Sequence, residues 1–114
     1  MSFVQLDDAE LAARLAEEAG RLLLEVREGS GRAGKALGNA GDAAANQFLC
    51  DAIRTARPDD GLLSEEEKDN PARLAKSRVW IVDPVDGTRE YAEGRADWAV
   101  HVALACRPCR SQRH

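Results

Sequence analysis

Between Asp7 and about Arg27 the apolar residues Leu11, Leu15, Ala19, Leu22 and Val26 recur at steps of three and four, the spacing that lines one face of a helix. Asp7, followed three residues later by Glu10, has the spacing of a capping box, in which two side chains satisfy orphan N–H groups at a helix start. From Glu28 to Gly41 glycines fall among Arg, Lys and Asn, and this turn-rich stretch is not expected to sustain a helix. A second amphipathic helix is expected from about Asp42, as its cap, to Ala56. It places Ala45, Phe48, Leu49, Ala52, Ile53 and Ala56 on one face, and Pro58 follows its end.

The period then changes. After a Pro-Asp-Asp-Gly turn, Leu62 and Leu63 form a short apolar segment that stops at Ser64-Glu65-Glu66-Glu67, read as a strand ending in carboxylates. Arg78 to Asp83 is β-branched and aromatic and too short for a helix, so a strand buried on both faces is expected, ended by Pro84. Trp98, Val100, Val102 and Leu104 alternate with Ala99, His101 and Ala103, the period of a half-buried strand. The fold class is α+β: two helices on a mostly antiparallel sheet, without an internal repeat or a linker that would divide the chain.

Composition narrows the classes. The chain has 114 residues, 44% hydrophobic and 32% charged, with formal net charge -4, which suits one small globular domain. Acidic residues crowd the middle, and no basic stripe marks a nucleic-acid binder. No signal-peptide pattern and no run long enough to span a bilayer is found. Three cysteines, Cys50, Cys106 and Cys109, make no disulfide framework, so a reducing compartment, the cytoplasm, is expected.

The chemistry concentrates at Asp83-Pro84-Val85-Asp86-Gly87-Thr88. A strand delivers two carboxylates three residues apart into a tight turn, and Gly87 removes a side chain where backbone must approach something closely. Hard cations such as magnesium prefer oxygen ligands, which Asp83, Asp86 and the Val85 carbonyl can supply from one loop. Gly87 and Thr88 offer N–H groups to a phosphate oxygen beside them. Metals placed there polarise a phosphate and lower the pKa of a bound water. A plain structural turn is the competing reading of the same residues, and Glu67, Lys68 and Asp69 are read as a solvated loop.

These residues resemble the inositol monophosphatase-like phosphatases, whose signature Asp-Pro-x-Asp-Gly-Thr after a hydrophobic strand is complete at Asp83 to Thr88. The family's Glu-Glu element is matched by Leu63-Ser64-Glu65-Glu66, and its earlier acidic residue by Asp42. The resemblance implies that Glu65, Asp83, Val85 (through its carbonyl) and Asp86 bind Mg²⁺. It further implies that Asp42, Glu66 and Thr88 orient or activate water, and that Glu65, Asp86, Gly87 and Thr88 line the substrate site. Thr88-Arg89-Glu90-Tyr91 looks more like the 3'(2'),5'-bisphosphate nucleotidases of sulfur assimilation. The implied reaction is Mg²⁺-dependent removal of the 3'-phosphate of adenosine 3',5'-bisphosphate, with an inositol or sugar phosphatase as one alternative and a non-catalytic metal-binding remnant as another. A small phosphorylated substrate is the expected partner, with no nucleic acid and no membrane. Self-association is allowed for.

Residues 1–104 are read as the first part of the family's layered fold and 105–114 as a basic tail that departs from its pattern. The family's second half, which supplies a further aspartate, is missing from the sequence, so an incomplete, weakly stable and nearly inactive chain is expected. His101 is read as a partly buried structural residue, and Trp80 and Trp98 as core. Cys106-Arg107-Pro108-Cys109 has redox spacing but lacks the strand-then-helix context of such motifs, and a zinc site made with His101 and His114 fits no common spacing.

Overall fold

The computed structural model describes residues 3–29, 31–64 and 76–106. A short 3-10 turn, Phe3–Gln5, precedes α1 (Asp8–Gly29) and α2 (Gly34–Ala56). Then come β1 (Gly61–Ser64), β2 (Arg78–Asp86), the short helix α3 (Thr88–Ala92) and β3 (Ala99–Cys106). The α+β class is as expected. The sheet order is β1-β2-β3, and the sheet is mixed: β1 runs parallel to β2, while the longer β2–β3 ladder is antiparallel.

The capping box forms. The Asp7 N–H donates to Glu10 Oε1 at 3.2 Å, and the Glu10 N–H donates to Asp7 Oδ1 at 2.8 Å. One turn further in, Leu11, Leu15, Ala19 and Leu23 are the fully buried stripe of α1. Leu23 rather than Leu22 therefore takes the core position. Leu11, Leu15, Leu49, Ile53, Trp80 and Val82 fill the space between the two long helices and the sheet, and Val100, Val102 and Leu104 pack against them. A second cluster of Leu23, Leu37, Ala45, Val85 and Tyr91 closes the α3 end.

Two boundaries differ from expectation. α2 begins eight residues before Asp42, at Gly34, with Ala33 at its cap position, so Asp42 is an interior helical residue and not a cap. The glycines that suggested a break are instead contact points for α3. A Cβ on Gly38 would lie 2.9 Å from Thr88 Cγ2, and one on Gly41 would lie 2.6 Å from Tyr91 Cε2. Each glycine costs about 1 kcal/mol of helix propensity relative to alanine, and the packing of α3 onto this face offsets that cost.

Pro84 does not end β2 either. The strand continues through Asp86, and the register shifts between Asp83↔His101 and Asp86↔Ala99. Three steps on β2 face two on β3, which is a bulge, and Pro84 suits it because it has no N–H to give the ladder. Nor is β2 buried on both faces: Trp80 and Val82 are, but Ile81 is 41% exposed, because both long helices lie on the opposite side of the sheet.

A candidate metal and phosphate site at the β2 bulge

Strict strand alternation would send Asp83 and Asp86 to opposite faces, since they are three residues apart. The bulge cancels the odd step. Asp83 is the cross-strand partner of His101, and His101 Nε2 lies 3.0 Å from Asp86 Oδ2, so both carboxylates sit on the His101 side of the sheet. Asp83 is half-buried and Asp86 exposed. His101 is exposed as well, which corrects its reading as a partly buried structural residue. It stands on the solvent side of β3 and holds a candidate ligand.

The turn after Asp86 depends on glycine. Gly87 has φ +92°, and a Cβ there would lie 3.2 Å from the Asp97 carbonyl oxygen and 3.3 Å from Trp98 Cα. Any other residue would be strained twice over. From this turn α3 starts, closed by the Tyr91 N–H donating to the Gly87 carbonyl at 2.9 Å.

α3 carries Thr88 against α2. The Thr88 hydroxyl lies 3.2 Å from the Val85 carbonyl and 3.5 Å from Asp42 Oδ1, so its single proton has two acceptors. Its oxygen lone pairs remain able to accept from a water. Asp42, Thr88 and the Val85 carbonyl are therefore drawn together from α2, α3 and the end of β2, while Asp83 and Asp86 stand on the His101 face. Burial holds the Tyr91 phenol above its ordinary pKa, the Arg27 guanidinium opposes that shift and the Asp42 carboxylate adds to it.

Glu65 and Glu66 lie outside the described residues. The β1–β2 ladder ends with Ser64↔Val82, one position before Glu65 on one strand and before Asp83 on the other. Sequence reasoning missed the residue that ties this end of β1 to the helix. Buried Asn46 accepts through Oδ1 from the Ser64 hydroxyl, and Cys50 Sγ lies 3.4 Å from the same oxygen. Its signal was its place one helical turn beyond Asp42. Among the described residues no three His, Cys, Asp or Glu side chains form a group that could hold a metal ion. Two carboxylates and a carbonyl from one turn are nevertheless oxygen donors of the type that hard divalent cations take.

Residues 4–108 match the family model described as "Inositol monophosphatase family". The chain belongs to the inositol monophosphatase family. The 3'-phosphoadenosine 5'-phosphate phosphatase of Mycobacterium leprae is 56% identical over 102 residues, which are 88% of this chain and 38% of that protein. The 3'(2'),5'-bisphosphate nucleotidase CysQ of Escherichia coli is 34% identical over 98 residues, 80% of this chain and 40% of its own length. The crystal structure of CysQ from Bacteroides thetaiotaomicron superposes with a TM-score of 0.70 at 28% identity, covering 84% of this chain and 36% of that one. The chain thus spans about two fifths of the length of the family members it matches.

β3 runs on through Ala105 and Cys106, while 107–114, with Cys109 and His114, lie outside the described residues. Among the described residues no helix is long and apolar enough to cross a membrane.

Proposed function

We propose that this chain carries the metal-binding and phosphate-holding part of a 3'(2'),5'-bisphosphate nucleotidase that hydrolyses the 3'-phosphate of adenosine 3',5'-bisphosphate with Mg²⁺. The observation that carries the reading is the bulge that turns Asp83 and Asp86 to one face, followed two residues on by Thr88, whose hydroxyl lies 3.5 Å from Asp42 Oδ1. The names of the M. leprae and E. coli family members support the choice of a nucleotide substrate. Sulfur assimilation in the cytoplasm is the setting that goes with such an enzyme, and a buried Cys50 thiol suits a reducing compartment.

In this reading Asp83, Asp86, the Val85 carbonyl and Glu65 are the metal ligands. Bound Mg²⁺ supplies charge for the phosphate oxygens and acidifies a water. Thr88 donates its hydroxyl hydrogen bond to Asp42 or the Val85 carbonyl, which leaves an oxygen lone pair to accept from that water and orient it, with Glu66 as a further acceptor. The Gly87 and Thr88 N–H groups hold the phosphate that is removed. The Thr88 methyl, seated over Gly38, fixes the hydroxyl's rotamer.

The test is Mg²⁺-dependent phosphate release by a chain carrying the remainder of the family fold, comparing adenosine 3',5'-bisphosphate with inositol 1-phosphate. A higher kcat/KM for the nucleotide is expected. Equal or reversed values would remove the nucleotidase assignment and leave a metal-dependent phosphatase of other specificity.

A further inference from the structure

Arg27 lies near the end of α1, sixty-four residues before Tyr91 in sequence, yet its guanidinium sits in the middle of the loop that follows the bulge. Nη1 donates to the Tyr91 carbonyl at 3.2 Å and to the Arg95 carbonyl at 2.9 Å. Its Cζ is 5.3 Å from the Tyr91 ring centroid and 5.7 Å from that of Trp98, within the range of cation–π attraction. The two rings meet edge to face at 5.2 Å. Trp98 Nε1 donates at 2.8 Å to the same Arg95 carbonyl, and the Tyr91 hydroxyl donates at 2.6 Å to the Leu23 carbonyl, one turn back on α1.

What Arg27 gathers is the support of the Gly87 turn on both sides. Tyr91 closes α3 onto the Gly87 carbonyl. Asp97 and Trp98 form the backbone surface on which Gly87 rests, with room for no Cβ. A displaced Trp98 or a frayed α3 would therefore move the N–H groups of Gly87 and Thr88 and the hydroxyl of Thr88 together.

We propose that Arg27 is a positioning residue for the phosphate-holding turn, acting through Tyr91 and Trp98 without touching the substrate. The proposal rests on the reading of Gly87–Thr88 as the phosphate holder. Lysine is a poor replacement: although Nη1 alone makes both carbonyl contacts, a compact, strongly hydrated ammonium lacks the delocalised, weakly hydrated guanidinium that Arg27 brings within cation–π range of both rings. Charge alone is not the requirement.

The experiment uses the full chain with Arg27→Lys and Arg27→Met, and reads amide hydrogen exchange by NMR together with calorimetric titration of Mg²⁺ and of inorganic phosphate in its presence. In Arg27→Lys the Tyr91 amide should exchange about tenfold faster, while the amides of Leu15 and Leu49 in the core stay within about twofold of wild type, the pattern of a local opening. Phosphate affinity should fall about tenfold and Mg²⁺ affinity hold within about twofold. Arg27→Met should show the same pattern at least as strongly. A Tyr91 amide that follows the core amides, or phosphate affinity unchanged in both variants, overturns the positioning role and leaves the phosphatase reading intact. A wild-type chain that binds Mg²⁺ but no phosphate overturns the reading of the turn itself, and the role of Arg27 with it.

Discussion

The Thr88 hydroxyl stands 3.5 Å from Asp42 Oδ1 across 46 residues of sequence, and this approach joins the bulged end of β2 to the middle of α2. Only a helix face without side chains lets α3 come so near, which is the part played by Gly38 and Gly41. Thr88→Val keeps the shape and the methyl but removes the hydroxyl that lies against Asp42 and, in the proposed function, orients the attacking water. In a chain carrying the whole family fold, kcat for phosphate release should drop about a hundredfold or more, with Thr88→Ser retaining most of it. A Val variant with wild-type kcat would remove Thr88 from the chemistry.

The same contact face gives a stability prediction with a sign to decide. Replacing an interior helical glycine by alanine gains up to about 1 kcal/mol of propensity. At Gly41 the new methyl would meet the Tyr91 ring, which is fully buried and held by its hydroxyl at Leu23. Overpacking of this kind costs about 1–3 kcal/mol, so it wins, and thermal unfolding of Gly41→Ala should show a lower Tm. Gly20→Ala, where nothing lies within 4 Å of the added Cβ, should raise it. Equal shifts at the two sites would mean that α3 does not dock where the structure places it.

How far these features were legible in sequence follows from what makes them. The α1 stripe, its Asp7–Glu10 cap and the alternation of β3 depend on local spacing, and the structure holds them almost as read. The start of α2 was hidden because glycine has two meanings: Gly38 and Gly41 read as breakers by propensity, but tertiary contact makes them spacers. The bulge at Pro84–Val85 was hidden for a similar reason. Proline signals the end of a regular ladder, and only the partner strand reveals that the ladder resumes one residue out of step. The motif Asp83 to Thr88 could be picked out as chemistry, but the supports come from other elements: Asn46 is marked only by its place one helical turn beyond Asp42, and Arg27 and His101 carry no mark of their own in the sequence.

Stability should depend on pH at both ends of the range. Asp8 is held below its ordinary value of 3.8, chiefly by the hydrogen bond from Arg78 and then against the opposing effect of burial, with Arg57 adding to the lowering. A depressed folded-state pKa gives stability that is present above the unfolded value and lost as pH falls through the folded one. Unfolding free energy should therefore decline below about pH 4, and Asp8→Asn should flatten part of that decline. The effect is small, because the Asp8 side chain keeps 39% of its exposure. Tyr91 works at the alkaline end: its raised pKa means the folded state holds a proton that the unfolded state gives up near 10.0. Stability is lost as pH rises beyond that, and Tyr91→Phe should remove this part of the loss. Urea unfolding across pH 3 to 11 measures both; an Asp8→Asn chain with the acid slope of wild type would remove the Asp8 account.

Asp83 and Asp86 share a face of the sheet with His101, which lies 3.0 Å from Asp86, and two like charges on one face cost stability unless something positive sits between them. Without metal, Asp83→Asn should therefore melt at the same temperature as wild type or slightly above it. With metal the order should reverse. A cation that binds only the folded state raises stability by RT ln(1 + [L]/Kd), about 2.7 kcal/mol at a hundredfold excess over Kd. Wild type should gain Tm in proportion as Mg²⁺ or Mn²⁺ is added, and Asp83→Asn should lose most of that gain, because amide oxygen replaces a full charge at a hard cation. The control lies at the other end of β2. Asp60 accepts from Trp80 Nε1 at 2.9 Å and pairs with Arg78, so Asp60→Ala should lower Tm by breaking a largely buried hydrogen-bonded pair, about 1–3 kcal/mol, yet leave the metal-induced gain unchanged. Thermal melts of the three proteins with and without metal separate the two effects. An equal metal-induced shift in wild type and Asp83→Asn would show that the cation binds elsewhere and that the paired carboxylates at the bulge are not its ligands.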